Sequence, residues 1–122
     1  LKFPRKKRGA KPDNVLSAYR IMWIQVLFDL PVVEDVQRKA ATQFRNYLLE
    51  LGFEMAQYSV YQRFCQGMES AETYVKKIEK NLPNEGKIHI LFFTDKQFAS
   101  IRTYTGPKRK AQRQNPDQLE LF

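Results

Sequence analysis

Three residues carry side chains capable of chemistry, and one of them sits where chemistry is invited. Asp29 directly follows the apolar run Ile21–Phe28 and precedes Leu30-Pro31. A carboxylate at the end of a buried strand faces a low-dielectric wall unless something pairs with it. One reading makes it a turn or helix-entry carboxylate. The other needs a second copy of the chain. One carboxylate holds Mg2+ poorly, but a two-fold axis beside this strand would bring two Asp29 side chains together. Such a pair repels and protonates, or else holds a hard cation. A cation held there can orient water and stabilise a phosphoryl oxyanion. The single histidine, His89, lies inside an apolar run with no partner base or nucleophile in its vicinity, and reads as a satisfied core or interface residue. The single cysteine, Cys65, has no activating neighbour and reads as inert. Gly-rich phosphate loops, zinc-ligand spacings and nucleophile elbows are absent from the sequence.

Charge says where a polyanion would meet this chain. The net charge of +8 over 122 residues is unevenly spread. Residues 1–12 contribute +6, residues 13–101 contribute −1 and residues 102–122 contribute +3. The globular part is therefore nearly neutral, and a nucleic acid would be met by the ends and by local basic clusters. One cysteine excludes an internal disulfide framework and fits a reducing cytoplasm. The basic start followed by Ile21–Phe28 has the outline of a secretory signal. It ends at Asp29-Leu30-Pro31 with no small-residue cleavage site, so a cytoplasmic protein without a membrane span is expected.

The elements that must position Asp29 follow from periodicity. Residues 1–18 are rich in Lys, Arg, Pro and Gly and read as a disordered basic arm. Residues 21–28 are too short for a helix and apolar on both parities, as in a strand covered on both faces. Residues 34–51 form the clearest helix, with Ala40, Phe44, Tyr47, Leu48 and Leu51 on one face, Asp35 able to cap it and Gly52 placed for a left-handed C-terminal cap. Arg38, Lys39 and Arg45 lie off that stripe, on a surface that is either an ordinary solvated face or a phosphate contact. Residues 53–65 are extended, but their alternation changes parity near Gln57, which implies a bulge, a bend or a hairpin. Residues 69–82 are a second amphipathic helix with Ser70 as a cap and Ala71, Tyr74, Val75, Ile78 and Leu82 inward. Residues 88–94 are a second buried strand, and Phe98–Tyr104 reads as a short edge strand.

Strand, helix, extended pair, helix, strand is the split β-α-β order of a ferredoxin-like α+β fold, βαββαβ. It predicts an antiparallel sheet with both helices on one face over residues 19–105, followed by a basic linker and docking segment at 106–122. Apolarity on both parities of residues 21–28 and 88–93 calls for a cover on the other sheet face, and a second copy of the chain supplies it as a symmetric homodimer.

Several short motifs, taken together, carry a resemblance. Arg20, Phe28-Asp29-Leu30-Pro31, Gly52-Phe53, Gln57-Tyr58-Ser59-Val60-Tyr61, the strand Lys87–Thr94 and Asp95-Lys96-Gln97-Phe98 stand at the spacing of the small CRISPR-associated adaptation protein. This is the family of CRISPR-associated endoribonucleases, the smaller partner in spacer acquisition. With its ending Gln118-Leu119-Glu120-Leu121-Phe122, the chain most resembles the version that accompanies single-effector (type II) systems. The resemblance covers residues 19–122 and leaves the arm without a counterpart.

The resemblance implies more than the residues do. It implies a ferredoxin-like homodimer in which Asp29 is the catalytic and metal-ligating residue for Mg2+-dependent cleavage of single-stranded RNA or duplex DNA. It also implies a scaffold that bridges two dimers of the adaptation integrase and holds the middle of a prespacer duplex. On that view Arg20, Arg38, Lys39, Arg45 and the arm contact phosphates without reading sequence. Leu119, Leu121 and Phe122 form an apolar cluster suited either to a partner's sheet edge or pockets or to folding back on the chain's own core. The integrase is its first candidate partner. A second is the replication sliding clamp, whose short binding peptide is similar to Gln-Leu-x-Leu-Phe. The competing class is a ferredoxin-like binding module without catalysis. An RNA-recognition motif is disfavoured, because residues 87–93 lack its Lys/Arg-Gly-Phe strand.

Overall fold

The structure, a computed structural model, describes residues 20–106 and 111–113. Its elements are β1 (Met22–Asp29), α1 (Asp35–Glu50), β2 (Glu54–Gln57), β3 (Val60–Cys65), α2 (Met68–Glu79), β4 (Lys87–Thr94), α3 (Asp95–Ala99), β5 (Arg102–Tyr104) and β6 (Ala111–Arg113). The main sheet has the order β2-β3-β1-β4, and its three pairings are antiparallel. This is the α+β, ferredoxin-like arrangement that the order of elements predicts.

The two faces of the sheet differ. On β1, Met22, Ile24, Val26 and Phe28 are buried, while Trp23, Gln25 and Leu27 are half-buried. The buried set packs with Phe44 and Leu48 of α1, Met68, Ala71 and Ile78 of α2, and Tyr61 and Cys65 of β3. Phe28 anchors one end, with its ring 5.3 Å edge-on from Phe44 and 5.7 Å from Tyr61. Each fully buried Ile, Leu or Val contributes about 2 kcal/mol. Among the described residues, α1 and α2 therefore cover this one face of the sheet. The outer face carries Gln25, Leu27, Val60, Gln62, Phe64, His89 and Leu91. Among the described residues, the cover on this face lies at its far end. There Phe98 of α3 stacks on Trp23 at 3.8 Å, and Trp23 Nε1 donates to Asp95 Oδ1 at 3.0 Å.

Several local details differ from the sequence reading. The cap of α1 is Glu34, not Asp35. Gln37 Oε1 accepts from the backbone N–H groups of Val33 and Glu34, while Asp35 is the first helical residue and pairs with Arg38. Ala41 is buried in α1, where Ala40 and Tyr47 are half-buried. At the other end Gly52 does form the left-handed cap (φ +88), with its N–H bonded to the Leu49 carbonyl and that of Phe53 to the Leu48 carbonyl. The parity change near Gln57 is both a hairpin and an irregularity. Register shifts between Met55 and Gln57, and Tyr58-Ser59 turns the chain with Ser59 at φ 65.

Helix α2 starts after Gly67 (φ 101), so Ser70 is its third residue and not its cap. It ends at Glu79, before Leu82, which is exposed. Pro83 disfavours helical geometry at the residue before it, and Asn81 closes the last turn on the Ile78 carbonyl. Phe98 belongs to α3 and not to a strand. Of residues 98–104, Arg102–Tyr104 are the strand, and they pair in a separate two-stranded sheet with β6, which lies within the segment expected to be a linker. His89 is exposed on the outer face, which excludes the satisfied-core reading. Among the described residues, no helix is long and apolar enough to cross a membrane.

Candidate nucleic-acid site

Asp29 ends β1 on the odd parity, so it stands exposed at the rim of the outer face. Its exit from the sheet is tightly held. Gly86, at φ +94, packs so closely that a Cβ there would lie 2.6 Å from the Asp29 carbonyl oxygen and 2.7 Å from Leu30 Cδ2. Beside it, Gln37 Nε2 donates to Glu85 Oε2 at 3.2 Å. Gln37 therefore ties the loop after Asp29 to the turn before β4. That turn delivers Lys87 directly opposite Asp29 in the β1–β4 register, on the same face and exposed.

Arg38, Lys39 and Arg45 project from α1, which packs on the other face of the sheet. Arg38 is held locally: it pairs with Asp35 and donates to the carbonyls of Val32 (3.1 Å) and Val33 (2.8 Å). Arg45 donates to Thr42 Oγ1 at 3.1 Å. With Asp35, Thr42 and Gln43, Arg38 and Lys39 border a shallow depression. Arg20 is exposed just before β1, so a strand length of about 30 Å separates it from Asp29. The fold therefore spreads the basic candidates over two regions, the surface of α1 and the start of β1. Leu119, Leu121 and Phe122 lie outside the described residues.

The described residues contain no group of three or more His, Cys, Asp or Glu side chains able to hold a metal. One chain offers a hard cation a single exposed carboxylate at Asp29. Mg2+ accepts such a site when water and substrate phosphate complete its shell. The donor chemistry fits, and the number of protein ligands from one chain is low.

Arg63 escaped the sequence reading. It lies on the core face between Tyr61 and Cys65, with its guanidinium carbon 4.3 Å from the centre of the Tyr74 ring and Nη2 donating to the Tyr74 hydroxyl at 2.6 Å. Burial pushes the Cys65 thiol up, and nearby Arg63 and Ser70 only partly oppose it. That keeps the thiol protonated and unreactive, as its sequence setting suggests.

The family profile described as "CRISPR associated protein Cas2" matches residues 22–101, from β1 through α3. The chain belongs to the Cas2 family. Among its relatives, the CRISPR-associated endoribonuclease Cas2 of Paracidovorax avenae is 47% identical over 108 residues, covering 88% of this chain and 100% of the relative. That of Parvibaculum lavamentivorans is 46% identical over 101 residues, covering 83% and 100%. That of Flavobacterium psychrophilum is 45% identical over 107 residues, covering 88% and 93%. For this Cas2, membership supports a role in CRISPR adaptation. The Asp29 rim lies inside the matched span, whereas residues 102–122 extend beyond it.

Proposed function

We propose that this Cas2 acts in spacer acquisition as a symmetric dimer that bridges two integrase dimers and holds prespacer duplex DNA. The observation that carries the reading is the outer sheet face. It is apolar along Leu27, Val60, Phe64 and Leu91, is covered among the described residues only at its Trp23 end, and has Asp29 at its rim. A second copy placed there buries both apolar faces and brings two Asp29 carboxylates toward one axis. Lys39, Arg45, Arg20 and Arg38, with the basic arm, supply phosphate contacts that ignore sequence.

Cleavage of single-stranded RNA or duplex DNA is the second part of the proposal. Asp29, with its copy in the second chain, would hold Mg2+. The ion supplies Lewis-acid stabilisation of the phosphate and lowers the pKa of bound water. The chain's own contribution is to keep the carboxylate exposed at the strand end, with the loop behind it held by Gly86 and Gln37. Asp29→Ala should lower Mg2+-dependent cleavage by about 100-fold, the upper end of what losing even an outer-shell partner of a metal ligand costs, while sedimentation and duplex binding stay at the parent's values. Cleavage that persists in the variant overturns the assignment of Asp29. The single carboxylate per chain favours a second reading, a DNA-holding scaffold without catalysis, and on it the parent itself cleaves nothing.

Residues 118–122 are proposed to dock on the integrase through Leu119, Leu121 and Phe122, ahead of the sliding clamp. Deleting them should leave the dimer intact and abolish integrase capture in a pull-down with purified components. Unchanged capture overturns this role, and loss of clamp binding alone would reassign the segment.

A further inference from the structure

We propose that Lys87 holds a nucleic-acid phosphate beside Asp29, so that the rim of the outer face pairs an acid with a phosphate-binding cation. The inference rests on the nucleic-acid reading above and adds a residue to its site. In the antiparallel register of β1 and β4, Asp29 and Lys87 are direct partners. Cβ atoms of such partners stand about 5 Å apart on one face. A phosphate whose oxygens reach a cation at the carboxylate is therefore within range of the ammonium of a four-carbon side chain.

The ammonium is not consumed by its neighbours. No ion pair joins Lys87 to Asp29, and Lys87 makes no side-chain hydrogen bond among the described residues. The other nearby acid, Glu85, is engaged by Gln37 Nε2 and turned toward α1. The position of Lys87 is also built rather than loose. Gly86, the residue before it, sits against the Asp29 carbonyl and the Leu30 backbone, so β4 starts at a fixed place beside the end of β1. Asp29 alone would repel a phosphate at this rim. An exposed lysine opposite it, with its charge uncommitted, removes that penalty.

The experiment measures binding of a labelled duplex DNA by the full chain at several salt concentrations. Lys87→Ala should weaken binding several-fold and flatten the plot of log affinity against log salt by about 0.9 for each Lys87 that meets a phosphate. Lys87→Arg should restore the slope. Lys80→Ala, an exposed lysine at the end of α2, should leave it unchanged, and so reports any general effect of lost charge. Lys39→Ala with Arg45→Ala tests the reading beneath. If the parent shows no salt-dependent binding, both the nucleic-acid reading and Lys87's role fall. If the parent binds and Lys87→Ala keeps its affinity and slope, only the role of Lys87 falls. A lower melting temperature without a change of slope would make Lys87 a cross-strand structural partner of Asp29 and overturns the proposal as well.

Discussion

Leu91→Lys should turn the proposed dimer into a monomer at micromolar concentration. Leu91 lies on the outer face of β4, opposite Gln25, and is 38% exposed in the single chain. A lysine there is tolerated by one chain, because β4 is an edge strand and a charged side chain can reach water. In a symmetric dimer the same substitution occurs twice, in a face that a stable interface must desolvate. Two unpaired charges placed there cost several kcal/mol, and about 3 kcal/mol already weakens association more than 100-fold. Sedimentation equilibrium reads the change, and circular dichroism confirms that the chain stays folded. A variant that dimerises as tightly as its parent would place the interface elsewhere and remove the support for an Asp29 pair.

The second large effect is on stability. Gly86→Ala should cost about 2–4 kcal/mol, and Gly52→Ala about half of that. Both residues have positive φ, +94 and +88, where an L side chain costs roughly 1–2 kcal/mol. The surroundings then decide the rank. At Gly86 the new methyl meets the Asp29 carbonyl oxygen, a backbone atom fixed by the β1 end, and the chain must shift. At Gly52 it meets Arg63 Nη1, 2.2 Å from the ideal Cβ, and a guanidinium can swing away at the expense of its contact with Tyr74. A loss of 3 kcal/mol lowers the melting temperature of a domain this size by roughly 10–20 °C. Thermal unfolding of the two variants in parallel checks the order, and an equal or larger drop for Gly52→Ala contradicts the argument.

The candidate site shows how far patterns reach. Asp29 was legible because its signal is local: an acid closing an eight-residue apolar run and followed by Pro31. Gly52 was legible for the same reason, since a glycine after an amphipathic helix marks a left-handed cap. Gly86 and Lys87 were not, because their roles depend on which strand lies beside which. Lys87 is 58 positions from Asp29, and nothing in its own neighbourhood marks it. Arg63 was missed because an arginine between apolar strand residues reads as solvent-facing. The Tyr74 ring that receives it becomes visible only when α2 is laid over β3.

By itself the sequence determined the order of elements, the ferredoxin-like class, the apolar stripes of both helices and the placing of an acid at the end of the first strand. Those properties depend on side-chain periodicity and on turn chemistry within a few residues, so they are written locally. The tertiary structure decided what depends on register and packing. It showed that α1 and α2 cover one face of the sheet, that α3 seals the Trp23 end of the other, that His89 is exposed, and that Lys87 stands opposite Asp29. Apolarity on both parities says that two faces need covers, but not which element supplies each one. That choice is made by contacts between segments far apart in the chain, where each residue's partner is set by the fold as a whole.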